Sequence, residues 1–135
     1  MVVDFMERLA ERVNQIPELP VRVKMGYLGT GESFVVYPLP GSRTVQEYMN
    51  GTKDQQINYE FAMKSQNQKA IHDTLWKVQN VLDDLQELDS ADGSFEFEEL
   101  VITNKPFINQ IDEQGWFVFL LDVQANITVF KKEEV

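Results

Sequence analysis

Trp116-Phe117-Val118-Phe119-Leu120-Leu121-Asp122-Val123-Gln124-Ala125-Asn126-Ile127-Thr128-Val129-Phe130 runs for fifteen residues without a glycine or a proline. Apolar side chains recur at Phe117, Phe119, Leu121, Val123, Ala125, Ile127 and Val129, the period of two that defines a strand. The other parity is also apolar at Trp116, Val118 and Leu120, then turns polar at Asp122, Gln124, Asn126 and Thr128. The strand is therefore covered on both faces early and on one face late. At ~3.3 Å per residue it spans roughly 50 Å. A compact domain of this length has a diameter of roughly 37 Å. The strand must bend, or its end must leave the globule and pair with something else, and that points to assembly.

The other elements are read outward from this strand. Val2, Phe5, Leu9, Val13 and Ile16 fall at helical spacing, so Val3–Gln15 reads as an amphipathic helix ended by Pro17 and Pro20. Val21–Leu28 reads as a strand, Gly29-Thr30-Gly31 as a turn and Ser33–Leu39 as the antiparallel partner. Residues 41–54 read as a mobile polar loop, with one helical turn at the capping box Thr44-Val45-Gln46-Glu47. Gln56–Lys64 alternates cleanly, with Ile57, Tyr59, Phe61 and Met63 on one face. Gln68–Leu88 carries Ile71, Leu75, Val78, Leu82 and Leu85 at steps of four and three, the strongest helical stripe in the chain. Ser94–Asn104 opens as a strand whose parity slips at Glu98-Glu99, the mark of a bulge. Pro106–Gly115 then leads into the last strand. The order is α-β-β-β-α-β-β. It predicts an α+β fold, with a largely antiparallel or mixed sheet of about five strands and two helices packed on one face. Residues 1–135 are expected to form a single domain.

The chemistry that composition allows is narrow. The net charge is −10, which argues against a groove that grips nucleic acid, since phosphate binding needs clustered Lys and Arg. It suits solubility, repulsion of DNA, or a basic partner. With no cysteine, disulfides, thiolate nucleophiles and Cys-ligated metals drop out. No apolar run reaches membrane-spanning length, and Met1–Phe5 is too acidic for a signal peptide. The expectation is a protein made in a cytosol that stays soluble, away from membranes.

No enzyme emerges. Gly26–Ser33 is close to a phosphate-binding loop, but Glu32 stands where a lysine must reach the phosphates, and a strand follows where a helix should begin. Asp89, Asp92 and Gly93 miss the ligand spacing of a calcium loop. His72 is the only histidine and has neither a triad nor a zinc set around it. Glu96 and Glu98 share a strand face, where a pair of carboxylates is a solvent contact unless a cleft desolvates one of them. Catalytic residues, cofactors and metals are accordingly expected to be absent. Trp116, Phe117, Phe107, Tyr37 and Tyr48 exceed what a small core needs, and aromatics favour interfaces. Tyr48, Met49, Phe107, Trp116 and Phe130 are the candidate interface residues.

Several stretches carry a wider resemblance: Gly26-Tyr27-Leu28, Tyr37-Pro38-Leu39-Pro40-Gly41, Asn58-Tyr59-Glu60-Phe61-Ala62-Met63-Lys64-Ser65, Ile102–Gln110 and Asp112–Trp116. Together they resemble the small minor capsid proteins of tailed bacteriophages and prophages of Gram-positive bacteria. In size and order of elements the chain is also similar to siphophage tail terminators. The resemblance covers nearly the whole chain and includes no short motif with a chemical role, so no functional residue transfers by position. It implies a non-enzymatic virion protein in the tail or neck. Such a protein forms a homo-oligomeric ring, usually a hexamer, at the tail–head junction, ends tail-tube growth and joins the tail to the head. The implied partners are further copies of itself, the tail-tube protein and the head-completion protein, with duplex DNA passing through unbound. The alternatives are a head-completion or connector protein of the phage neck, or a small acidic binding module such as an immunity protein or DNA mimic.

Overall fold

The computed structural model describes residues 4–130. Helix α1 spans Phe5–Asn14 and α2 spans Gln68–Asp83. Six strands form one sheet: β1 Lys24–Met25, β2 Ser33–Pro38, β3 Arg43–Glu47, β4 Lys53–Ser65, β5 Phe95–Ile111 and β6 Phe117–Val129. Their order is β1-β2-β4-β6-β5, with β3 paired to β4 beside β2. The fold is α+β, as expected, with one strand more than the expected order contained.

The run that opened the sequence is the middle of this sheet. β6 pairs antiparallel with β4 on one side, from Ser65↔Phe117 to Lys53↔Val129, and with β5 on the other. Its end does not leave the globule alone. β4 and β5 are long enough to accompany it, so the sheet itself is extended. Phe119, Leu121, Val123, Ala125 and Ile127 point into the main core. Both helices pack on that face. Phe5 of α1 sits 5.6 Å from Tyr59 and 5.2 Å from Phe95, ring centre to ring centre. Ile71, Leu75, Val78 and Leu82 of α2 are fully buried. Asn67 caps α2 through its side-chain oxygen, which accepts from the Ala70 N–H at 3.1 Å. The helix stops five residues short of the expected Leu88, yet Leu88 remains buried in the core.

On the opposite face Val118 and Leu120 form a second, small cluster with Val35 and Ala62, partly roofed by Leu28 and Tyr37. The change from apolar to polar parity along β6 is thus a change from this cluster to the open half of that face.

Three expected elements take other forms. Val21–Leu28 is not one arm of an antiparallel hairpin: only Lys24–Met25 is a strand, and it pairs parallel to β2. Asn14 at the end of α1 is the cause. Its side chain bonds both the N–H and the C=O of Val23, at 2.8 and 3.0 Å. This fixes the chain direction there, and residues 26–32 loop back to begin β2 alongside. Residues 41–54 hold strand β3 and the start of β4 rather than an irregular loop, and the helical turn at Thr44–Glu47 does not form. β4 begins at Lys53 and offers an edge at that level, so Arg43–Glu47 gains a ladder that a capping box cannot match. The turn is closed by Gly51 at φ 87, where a side chain would be strained. Finally, β5 continues through Pro106 to Ile111. A proline survives there because β5 is an edge strand and its ladder is already irregular between Asn104 and Phe107. The expected bulge at Glu98 is present, as a register shift between Phe97 and Glu99.

Candidate assembly surfaces

The open face of the sheet, the one away from the helices, has a polar centre. Glu60 on β4 and Asp122 on β6 are direct cross-strand partners. The Tyr37 hydroxyl donates to Glu60 Oε1, and Asn104 Nδ2 donates to Asp122 Oδ2 at 2.8 Å. Asp122 is only 8% exposed, and its Oδ1 receives no other donor. The Glu60 carboxyl, its direct cross-strand partner, is the group placed to supply one when protonated. Burial pushes the Glu60 carboxyl up to about 7, helped by its hydrogen bond to Asp122 and by the charge of Asp122, against a smaller lowering by Tyr37. Burial, together with the hydrogen bond to Glu60, raises the Tyr37 phenol as well. Sequence reading weighed Glu96 with Glu98 and missed this pair, because Glu60 and Asp122 are 62 residues apart and meet only through the β4–β6 register.

Towards one end, the same face becomes acidic. Asp54 and Glu98 both accept from Thr128 Oγ1, at 2.9 and 2.7 Å, and Glu99 accepts from Asn126 at 3.0 Å. Glu96 stands across from Thr128. Glu96 and Glu98 are exposed, as expected of solvent contacts.

The exposed large apolar side chains of the described residues avoid the helices and collect in three places. Val101, Phe107, Ile108 and Ile111 lie along β5, one edge of the sheet. Met25, Tyr27 and Val45 lie on or beside β1 and β3, the other edge. Tyr48, Met49 and Phe130 sit at the end where the β3–β4 turn and the residue that follows β6 come together. The candidate interface residues are therefore split. Tyr48, Met49 and Phe130 share one end; Phe107 and Trp116 belong to the other. Trp116 is half-buried, with Lys64 Nζ 5.2 Å from its ring centre. Tyr48 donates to Asp54 at 2.8 Å, and this bond raises its phenol above the usual range. Tyr37 and Phe117 are partly buried against the two apolar clusters.

The remaining candidates serve the fold. Glu32 accepts from Ser65 Oγ at 2.7 Å, and Lys64 reaches the carbonyls of Gly29 and Thr30. Asp92 Oδ1 accepts from Ser90 Oγ and the Ser94 N–H. Asp4 joins the same turn and accepts from Ser90, Ala91 and Ser94. Burial would raise the Asp4 carboxyl, but those bonds outweigh it and hold it below its ordinary value. His72 is exposed beside Trp76. Among the described residues no group of three or more His, Asp or Glu is placed to hold a metal ion, and no helix is long and apolar enough to cross a membrane.

The exposed apolar side chains of this small sheet protein thus gather at two edges and one end. A sequence profile described as bacteriophage tail terminator protein matches residues 8–129, and the chain belongs to that family, a family of virion structural proteins. Among solved structures it is similar to a chain from the virion of the native gene transfer agent particle. The TM-score is 0.61 with 9% identity, over 94% of this chain and 98% of the other. At that identity the likeness establishes the shared fold. A second solved chain, 13% identical, aligns over 96% of this chain and 93% of its own at a TM-score of 0.45, too far in shape to support an argument. No curated protein matches the sequence.

Proposed function

We propose that the protein forms a ring at the tail–head junction that ends growth of the tail tube and joins the tail to the head. The observation that carries this reading is the family match over residues 8–129, nearly the whole described chain. The surfaces support it. A ring needs heterologous contacts, one patch of each copy meeting a different patch of the next, and the two sheet edges differ in sequence and charge. The end carrying Tyr48, Met49 and Phe130 is a third apolar surface, suited to the tail tube or to the head-completion protein. The ring is a structural device and uses no catalysis, cofactor or membrane.

The acidic open face fits passage of DNA without adhesion. At −10 per chain, a six-fold ring would carry about −60, a field that repels phosphate from any wall it lines. Asp54→Lys with Glu98→Lys should slow DNA ejection if this face lines the channel; unchanged ejection kinetics would remove it from the channel wall.

The deciding experiment is deletion of the gene from the virus that encodes it, followed by electron microscopy of the induced particles. Tails of uncontrolled length without heads are the expected result. Tails of normal length beside filled, unjoined heads would move the protein to the neck as a head-completion component. Normal joined virions would refute a junction role.

A further inference from the structure

We infer that neighbouring copies join edge to edge, the outer side of β3 in one copy pairing antiparallel with the first stretch of β5 in the next, so that the sheet continues from chain to chain. This rests on the ring reading above and names its contact.

Both edges are unpaired. Among the described residues β5 pairs only with β6, and β3 only with β4. An exposed strand edge is a row of free N–H and C=O groups that template another strand. Direction also agrees. β3, β4, β6 and β5 alternate in direction across the sheet. Copies repeated about an axis along the strands therefore bring β5 against a β3 that runs the opposite way.

The level agrees as well. Arg43 lies across from Gln56, Gln56 from Asn126, and Asn126 from Glu99. Gln46 lies across from Asp54, Asp54 from Thr128, and Thr128 from Glu96. These two rows cross the whole sheet on its open face. A copy placed alongside without axial shift sets its Arg43 beside Glu99 and its Gln46 beside Glu96.

Charge chooses among the pairings the edges allow. Two β5 edges brought together about a two-fold axis at the level of Glu98 would oppose the cluster Glu96, Glu98 and Glu99 to itself, and like charges across a ladder are unfavourable. The β1/β3 edge carries Lys24 and Arg43 against Glu47 alone. β3 itself balances Arg43 against Glu47, and Arg43 is the charge that falls level with Glu99. A second copy's β3 edge is thus the occupant that matches the β5 edge in direction, level and sign.

The chain has no cysteine, so a Gln46→Cys, Glu96→Cys double variant tests the contact without background. It is oxidised at high concentration, alone and on purified tail tubes, and run without reductant. A covalent ladder up to a closed ring is expected, with each single variant running as an uncross-linked chain under denaturing, non-reducing conditions. Arg43→Glu and Glu99→Arg should each weaken association ~10-fold, and the chain carrying both should recover wild-type assembly. All these positions are exposed, and circular dichroism is the check that each variant folds. Rings of wild-type size that neither cross-link nor respond to either charge reversal overturn the edge pairing and leave the ring reading standing. Cross-linked pairs that never extend further replace it with a closed two-fold contact. A wild-type chain that assembles neither in solution nor on tubes refutes both readings.

Discussion

Replacing Glu60 by glutamine should make the protein more stable at alkaline pH and leave it unchanged near pH 5. In the folded chain the Glu60 carboxyl stands at about 7 against an ordinary 4.5, because it is buried beside Asp122 and shares a hydrogen bond with it. A carboxyl whose folded pKa lies above its unfolded one adds stability that is complete below the unfolded value. That stability is lost as pH rises through the folded value. At ~1.36 kcal/mol per pH unit the ceiling is about 3.4 kcal/mol. Glu60 keeps part of its surface in water, which screens the interaction, so a contribution of about 1–1.5 kcal/mol is the reasonable expectation. Glutamine keeps both contacts, its carbonyl accepting from Tyr37 and its amide donating to Asp122 Oδ1, and does not titrate. Wild type and Glu60→Gln should therefore unfold together at pH 5 and separate by about 3–6 °C at pH 8.5, with the variant higher. The assay is thermal unfolding of both chains across that pH range at low protein concentration. Taking the difference cancels the carboxyls that do not touch Glu60 and isolates the Glu60–Asp122 pair. Parallel curves across the range would show that Glu60 is ionised throughout and that no proton is held between the strands.

Asn67→Ala removes the oxygen that caps α2 and should cost about 1 kcal/mol in urea denaturation; no change would mean that core packing alone holds the helix start. Asp4→Ala cuts the tie between the start of α1 and the Ser90–Ser94 turn. Since the folded Asp4 carboxyl is held low, its stabilisation is present above its ordinary pKa and lost as pH falls through the folded value. The variant should be less stable near neutrality by about 1 kcal/mol and approach wild type in acid, and a constant gap would contradict that origin. Leu121→Ala empties a fully buried position at the centre of the sheet and should cost about 2–5 kcal/mol. A loss under 1 kcal/mol in the same denaturation would mean that the core collapses freely around it.

The amino-acid sequence by itself determined the elements whose cause is local. The period of two along β6, its change from two covered faces to one, the stripe of α2, the alternation of β4 and the slip at Glu98 are all repeats of side-chain chemistry along a few turns or pleats. An element that buries its own stripe announces itself that way. The aromatic surplus divides in the structure: Tyr48 and Phe107 are exposed, whereas Tyr37, Trp116 and Phe117 are partly buried. Tertiary structure decided what depends on a partner. β3 is a strand because β4 begins early enough to offer it an edge. Lys24–Met25 runs parallel because Asn14 holds Val23, and β5 passes through Pro106 because only one of its sides must hydrogen-bond. The Glu60–Asp122 pair and the row from Arg43 to Glu99 come from register between distant strands, which residue spacing along the chain does not encode.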